Sequence, residues 1–416
     1  MSSTVQRVPS RVEFIALIAA LMAANALAID VMLPALPAMA ANFGVANDND
    51  RQFVITAYML GFGLAQIVYG PLSDRFGRRA PLLAGLAVYT VSAVLAAFAP
   101  SFAILLALRF VQGIGAAATR VIATSIVRDL YAGRAMAEVM SLVFMVFMAV
   151  PILAPGLGQV VMLATGNWHS IFVFMAGLAV ALVVWTFIRL PETLAPENRR
   201  PLSVGAVAGA FRIVVTNRLA FCYGLAGMFM FSAIFTFIST SQQIYVEIYD
   251  LGVWFPVAFA VPAALMSIGS FLNSRMVRGL GMRRVSHTAL LVFILFSASW
   301  VLFSALGYMP LWLFMTHLSI IMVCFGWIAS NANSLAMEPL GNVAGTASSV
   351  FGFTQTIGGA FIGGFIGQMY NGTVLPTATG YLAMGVLTLV CILIAERGRL
   401  FGVGQEYAEP ATAPAK

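Results

Sequence analysis

The chain has 416 residues, of which 61% are hydrophobic and 9% charged, with a mean hydropathy of +0.95. That balance lies far outside the range of a water-soluble domain and indicates a polytopic membrane protein. The 22 Lys+Arg against 15 Asp+Glu give a net charge of +7, but with no soluble domain to carry a basic face, the excess reads as topological and no nucleic-acid partner is expected.

A window of about 20 apolar residues predicts an all-α protein with twelve transmembrane helices, over 13–38, 52–72, 80–99, 101–127, 136–164, 168–190, 218–246, 252–275, 285–306, 310–337, 341–369 and 374–395. The first run exceeds a signal-peptide core and is read as a retained span. It carries one acid, Asp30, eight residues before Ala38, or roughly 12 Å below the far surface. An ionised carboxylate in hydrocarbon is costly, so such an acid faces a bundle interior or a water-filled cavity and marks a functional site. A static structural ion pair is the alternative.

After the second span comes "GPLSDRFGRR", residues 70–79. Here Gly70 permits close helix approach, Pro71 breaks the helix, and Asp74 can accept hydrogen bonds from a neighbouring helix N-terminus. Arg75, Arg78 and Arg79, with Gly77 among them, hold the loop on the cytoplasmic side. The fourth span brings Arg109 to the same depth as Asp30, where a facing pair beside cavity water is tolerable. Arg120 lies eleven residues on, near the same face and about 16 Å deeper. It either neutralises an acid such as Asp74 or Glu138, or binds an anionic substrate group.

In the fifth span, Pro151, Pro155, Gly156 and Gly158 suit a flexing and sealing point, because proline removes a backbone hydrogen bond and glycine lets helices touch. Residues 191–217 contain Pro191, Pro196 and Pro201 among charges and read as a cytoplasmic linker. The expected divisions are an N-terminal six-helix bundle (1–190), the linker, a C-terminal bundle (218–398) and a cytoplasmic tail (399–416). A degenerate repeat supports the halving: "GRR" at 77–79 answers "GMRR" at 281–284. Two parallel six-helix halves with a site between them near mid-membrane constitute one broad transporter architecture.

Arginines gather in one set of loops, at 75–79, 128–134, 189–200, 275–284 and 397–399, whereas the opposite loops have only Arg51. Both termini are therefore expected in the cytoplasm. Polar groups within spans need partners; Asn25, Tyr58, Gln112 and Asn331, with Met148 and Phe235 as adaptable apolar wall, are the candidate substrate contacts. Interhelical hydrogen bonding is the equal alternative for the polar ones. His317 could titrate, though a lone helix histidine is more often a structural donor. Cys222, Cys324 and Cys391 have no metal or redox spacing, and neither metal nor cofactor is expected. His169, His287 and His317 are dispersed, against the clustering a membrane enzyme needs.

The 70–79 loop resembles the signature loop of the major facilitator superfamily. Further stretches, "IDVMLPALP" (29–37), "YMLGFGLAQIVYGPLSDRFGRR" (58–79), "RFVQGIGAAA" (109–118), "IVRDLY" (126–131) and "VPILAPGLG" (150–158), are similar to drug:proton antiporters of the bicyclomycin-resistance (Bcr/CflA) type. The resemblance covers the N-terminal half strongly and the C-terminal half mainly in layout. It implies the major facilitator fold and a monomeric efflux transporter of the bacterial inner membrane. It also implies proton coupling through Arg109 and an antiporter motif over 151–158, in which Ala154 and Gln159 replace glycines. The expected activity is export of a small amphiphilic drug or metabolite against protons. In this reading Asp30 takes a proton from outside, its charged form favours Arg109, and a cationic substrate competes for the carboxylate. A proton-coupled exporter or importer of one specific metabolite is the alternative, and a non-transporting sensor a more distant one.

Overall fold

The structure, a computed structural model, describes residues 10–131, 133–199 and 204–402. Arg7, Arg200, Pro201 and almost all of the expected tail lie outside these residues. Twelve apolar segments long enough to cross a membrane are present among the described residues, matching the expected number.

The first segment is not one helix. α1 (Arg11–Asp30) stops at Asp30, a 3-10 turn follows at Leu33–Ala35, and α2 (Leu36–Phe43) completes the crossing. Pro34 and Pro37 impose the break, since each lacks an N–H and crowds the preceding turn. The crossing runs on to Phe43, so Asp30 lies nearer mid-span than the sequence alone suggested.

The remaining helices are α3 (Phe53–Phe76), α4 (Arg79–Ala96), α5 (Phe102–Leu130), α6 (Gly133–Thr165), α7 (His169–Arg189), α8 (Val204–Thr216), α9 (Arg218–Gln242), α10 (Phe255–Leu280), α11 (Met282–Ala305), α12 (Leu311–Met337), α13 (Ala344–Gln368) and α14 (Leu375–Ala395). Several starts are set by local chemistry: the Ser10, Ser101 and Asn217 side chains accept from the backbone N–H of Glu13, Ile104 and Ala220, which satisfies a donor the helix cannot. Pro71 does not break its helix as expected. α3 runs through it to Phe76, because packed neighbours compensate for the lost bond in a membrane bundle. The expected linker also contains a helix, α8, packed on α9 and α13.

Two groups of helices form. α5 packs on α3 and α4, α1 on α6, and α4 on α7; α9 packs on α13 and α14, α12 on α10 and α11, and α11 on α14. Small residues set the closest approach: a side chain on Gly113 would run into the Tyr58 carbonyl, so α5 and α3 touch backbone to backbone. The groups meet along α3–α13 and α6–α10.

Candidate functional site

Asp30 sits at the last turn of α1, only 3% exposed. Its Oδ1 has no hydrogen-bond partner, and the carboxylate makes no ion pair among the described residues. An ionised carboxylate in such a place lacks the water and the donors that a charge requires.

Arg109 does not complete the facing pair expected from its depth. Its Nη2 donates to the Ala28 carbonyl at 3.0 Å, its Nε to the Val54 carbonyl at 3.3 Å and its Nη1 to Gln112 Oε1 at 2.6 Å. The Ala28 carbonyl, freed at the C-terminal end of α1, is a strong acceptor, and the fully buried guanidinium is shared between it, the Val54 carbonyl of α3 and Gln112. Tyr58 lies under it, ring centre 4.4 Å from Cζ, and donates to Asn25 Oδ1 at 2.8 Å. Asn25, Tyr58, Arg109 and Gln112 are thus brought together between α1, α3 and α5, one turn from Asp30.

The second half keeps its candidates among its own helices. Asn331 donates to Asn273 Oδ1 at 2.9 Å, tying α12 to α10. Phe235 fills the space beside Gly359 and Gly363 of α13. His317 has both ring nitrogens occupied, Nδ1 donating to the Leu313 carbonyl and Nε2 within hydrogen-bond distance of Ser299 Oγ, the satisfied structural histidine. Met148 is partly exposed on α6.

Pro151 and Pro155 lie inside α6 without ending it. Gly158 is pressed on the Val31 carbonyl, where any Cβ would overlap the oxygen, whereas a Cβ on Gly156 would make only ordinary contact with Pro256 of α10 at 3.9 Å. α6 therefore touches α1 at the residue after Asp30 and leans on the other group of helices two residues away.

The loop after α3 is built around Arg78. Its guanidinium reaches Asp74 Oδ1 at 2.5 Å, Asp129 Oδ2 at 2.7 Å and Ser73 Oγ at 2.8 Å. Burial disfavours its charge, but hydrogen bonds and charge from Asp129 and Asp74 outweigh this and hold Arg78 above its ordinary value. Asp74 does not cap a helix N-terminus as expected. Glu192 does so, accepting from the backbone N–H of Arg78 at 2.8 Å and of Arg79 at 3.1 Å. Its carboxylate occupies the space a side chain on Gly77 would need, and Gly77 has φ +90°, a conformation that favours glycine. Gly70 faces Ser349 of α13 without tight packing, and Arg75 is exposed over the Phe76 ring. The same device recurs in the second half, where Arg283 binds Glu396 at 2.8 Å and Glu338 at 3.3 Å; the repeat seen at 77–79 and 281–284 is thus also a repeat of chemistry.

Sequence reasoning missed a polar lock joining the two groups at the α2 end. Arg51 pairs with Glu247 and Gln52 with Gln243. Asn49 donates to the Gln368 and Tyr370 carbonyls at 3.1 and 2.8 Å, and Gln368 donates to the Asn49 carbonyl at 2.8 Å. Burial and the adjacent Glu247 carboxylate push the Tyr370 phenol up to about 12. The polar runs at 47–52 and 241–247, both at span ends, were the available signal.

Arg120 finds neither acid considered for it: Asp74 is held by Arg78, and Glu138 by Arg11 at 2.6 Å. Among the described residues, no group of three or more His, Cys, Asp or Glu could hold a metal.

The profile of the Major Facilitator Superfamily matches residues 18–364. The chain is 30% identical over 368 residues to a bicyclomycin resistance protein homolog of Haemophilus influenzae, covering 88% of this chain and 90% of that one. It is 26% identical over 401 residues to Multidrug resistance protein D of Escherichia coli, covering 92% and 94%. The partially occluded inward-open xylose transporter XylE from E. coli shares the fold, with a TM-score of 0.72 at 14% identity over 95% of this chain and all of that one.

Proposed function

This chain belongs to the Major Facilitator Superfamily and is a multi-pass membrane transporter, not an enzyme; we propose that it exports small amphiphilic compounds in exchange for protons. The single observation that carries the reading is Asp30, a buried acid without a partner where α1 breaks. A charged carboxylate there demands water or a donor, while the neutral acid tolerates closure. Protonation therefore biases which arrangement of the bundle is stable, which is the requirement for coupling. The break at residues 31–35 lets the segment beyond Asp30 move apart from α1. Arg109 anchors one side of that break through Ala28, and Gly158 rests on the other at Val31.

In this reading the two six-helix bundles, 1–190 and 218–398, rock about a central site, and the lock from Asn49 to Gln368 closes the external end. Both termini face the cytoplasm of a bacterial inner membrane, and one chain suffices. A proton from outside and a donor or cationic group of the substrate compete for Asp30. The bicyclomycin and multidrug resistance names of the relatives support a drug-like cargo.

The test is flux in proteoliposomes under an imposed pH gradient, with bicyclomycin and a panel of amphiphilic dyes. Asp30→Asn is expected to lose movement driven by the gradient while exchange along a substrate gradient survives. Gradient-driven export of every transported compound by Asp30→Asn would remove the reading.

A further inference from the structure

Arg120 is a guanidinium at membrane depth that no part of the proposed mechanism uses. From Val111 to Arg120 is nine residues, two and a half turns, so Arg120 lies on the side of α5 opposite the exposed apolar Ile104 and Val111. It shares the inward face with Arg109, three turns away. Arg120 is partly exposed on that face, and Thr124, one turn further, is exposed. This stretch of the inner face is therefore open, unlike the sealed surroundings of Arg109.

Its chemistry is unanswered as well. No ion pair involves Arg120 among the described residues. The guanidinium lies 6.0 Å from the Phe62 ring centre; Phe62 is stacked on Tyr58 at 6.4 Å and 7°, and Tyr58 carries Arg109 at its other end. An aromatic column thus has a guanidinium at each end, one fully engaged and one free. Among the described residues, Asp30 is the one acid deep in the spans to set against these two arginines.

We propose that Arg120 is a subsite for an anionic group, and that the transported compounds include amphiphiles bearing a carboxylate. The planar fork of arginine binds a carboxylate through two parallel hydrogen bonds, while the buried Phe62 ring backs the guanidinium from behind. This rests on the transporter reading and adds anions and zwitterions to its substrate class.

The test uses the purified full chain and acid–ester pairs that differ only in the carboxylate: rhodamine B with its ethyl ester, read by fluorescence anisotropy, and 1-naphthylacetic acid with its methyl ester, read by displacement. In the parent the acid of at least one pair binds about ten-fold more tightly than its ester, as expected of a charged hydrogen bond. Arg120→Gln brings that ratio near one by weakening the acid alone, and Arg120→Lys, lacking the fork, falls between. Retained ester affinity shows that the variant is folded. Equal binding within both pairs, binding of no acid, or a ratio unchanged by Arg120→Gln overturns the anion subsite. Proton-driven movement of the rhodamine ester reports on antiport separately. No acid preference in the parent beside intact proton-driven flux overturns the subsite alone, and an acid preference that depends on Arg120 without proton-driven flux overturns antiport alone.

Discussion

Arg109 Nη2 donates to the carbonyl of Ala28 at 3.0 Å, two residues before Asp30, so the buried guanidinium grips the backbone of α1 and leaves the carboxylate unpaired. Two opposite charges at one depth are thus a backbone clasp and an unpaired acid, not a facing pair. Removing the guanidinium leaves the Ala28 and Val54 carbonyls and Gln112 Oε1 buried without their donor, each worth about 1–3 kcal/mol. Arg109→Ala should therefore lower the thermal unfolding midpoint in detergent and abolish flux. Arg109→Lys, which supplies one compact ammonium for three diverging acceptors, should fold but move substrate at least about ten-fold more slowly, a loss of roughly 1.4 kcal/mol. Wild-type flux in Arg109→Lys would show that the anchor is dispensable.

The contact of α6 with α1 makes a sharper test because two neighbouring glycines differ. A Cβ on Gly158 collides with the Val31 carbonyl, whereas one on Gly156 meets only Pro256 at 3.9 Å. Backbone cannot yield as a side-chain tip can, so overpacking of about 1–3 kcal/mol is expected at Gly158. Gly158→Ala should impair transport and stability, and Gly156→Ala should leave unfolding unchanged within about 0.5 kcal/mol. Equal tolerance at both positions would mean that α6 does not bear on the break beyond Asp30.

The contrast between these residues also shows what a sequence can reveal here. Twelve spans, Asp30, Arg109 and the 70–79 loop were legible because charges and long apolar runs are extreme signals in a membrane chain. The break after Asp30 was not, although Pro34 and Pro37 stood in view. Proline at 71, 151 and 155 leaves its helix intact, and the outcome depends on neighbours from other helices. Equal depth suggested an Asp30–Arg109 pair because backbone carbonyls, the acceptors that won, are the same in every sequence. Glu192 was missed for a related reason: it reaches Arg78 from 114 residues away, across a distance no local pattern encodes.

The lock at the α2 end should be separable from the fold of either bundle. Arg51 is buried and Glu247 half-buried, and the two belong to different groups of helices. Removing both should cost less than the sum of the single changes, with a coupling of about 1–2 kcal/mol in a double-mutant cycle. It should also shift the population toward an opened α2 end. Thr56→Cys, beside Gly364 of α13, reports on that opening. Cys222, Cys324 and Cys391 are buried and free, so a membrane-impermeant maleimide reads the new thiol over a low background. Faster labelling of Thr56→Cys in the Arg51→Ala, Glu247→Gln background is expected, and unchanged labelling would show that the lock does not govern access.

The Arg78 cluster predicts an order of severity. Arg78 is 4% exposed at its side chain, Asp129 14% and Asp74 39%, so the Arg78–Asp129 contact is shielded from water and the Arg78–Asp74 contact largely is not. An exposed pair contributes at most about 1 kcal/mol, whereas stranding a buried charge costs several. Arg78→Ala should destabilise the first bundle by about 2–3 kcal/mol, Asp129→Asn by less, and Asp74→Asn least in unfolding measured in detergent. Glu192→Gln should fall between: its one amide oxygen can replace only one of the two carboxylate oxygens that accept from the backbone N–H groups of Arg78 and Arg79, so it loses a hydrogen bond along with the favourable charge at the start of α4, about 1–3 kcal/mol. A ranking in which Asp74→Asn costs more stability than Arg78→Ala would place the weight of the loop on its exposed face and not on the buried guanidinium.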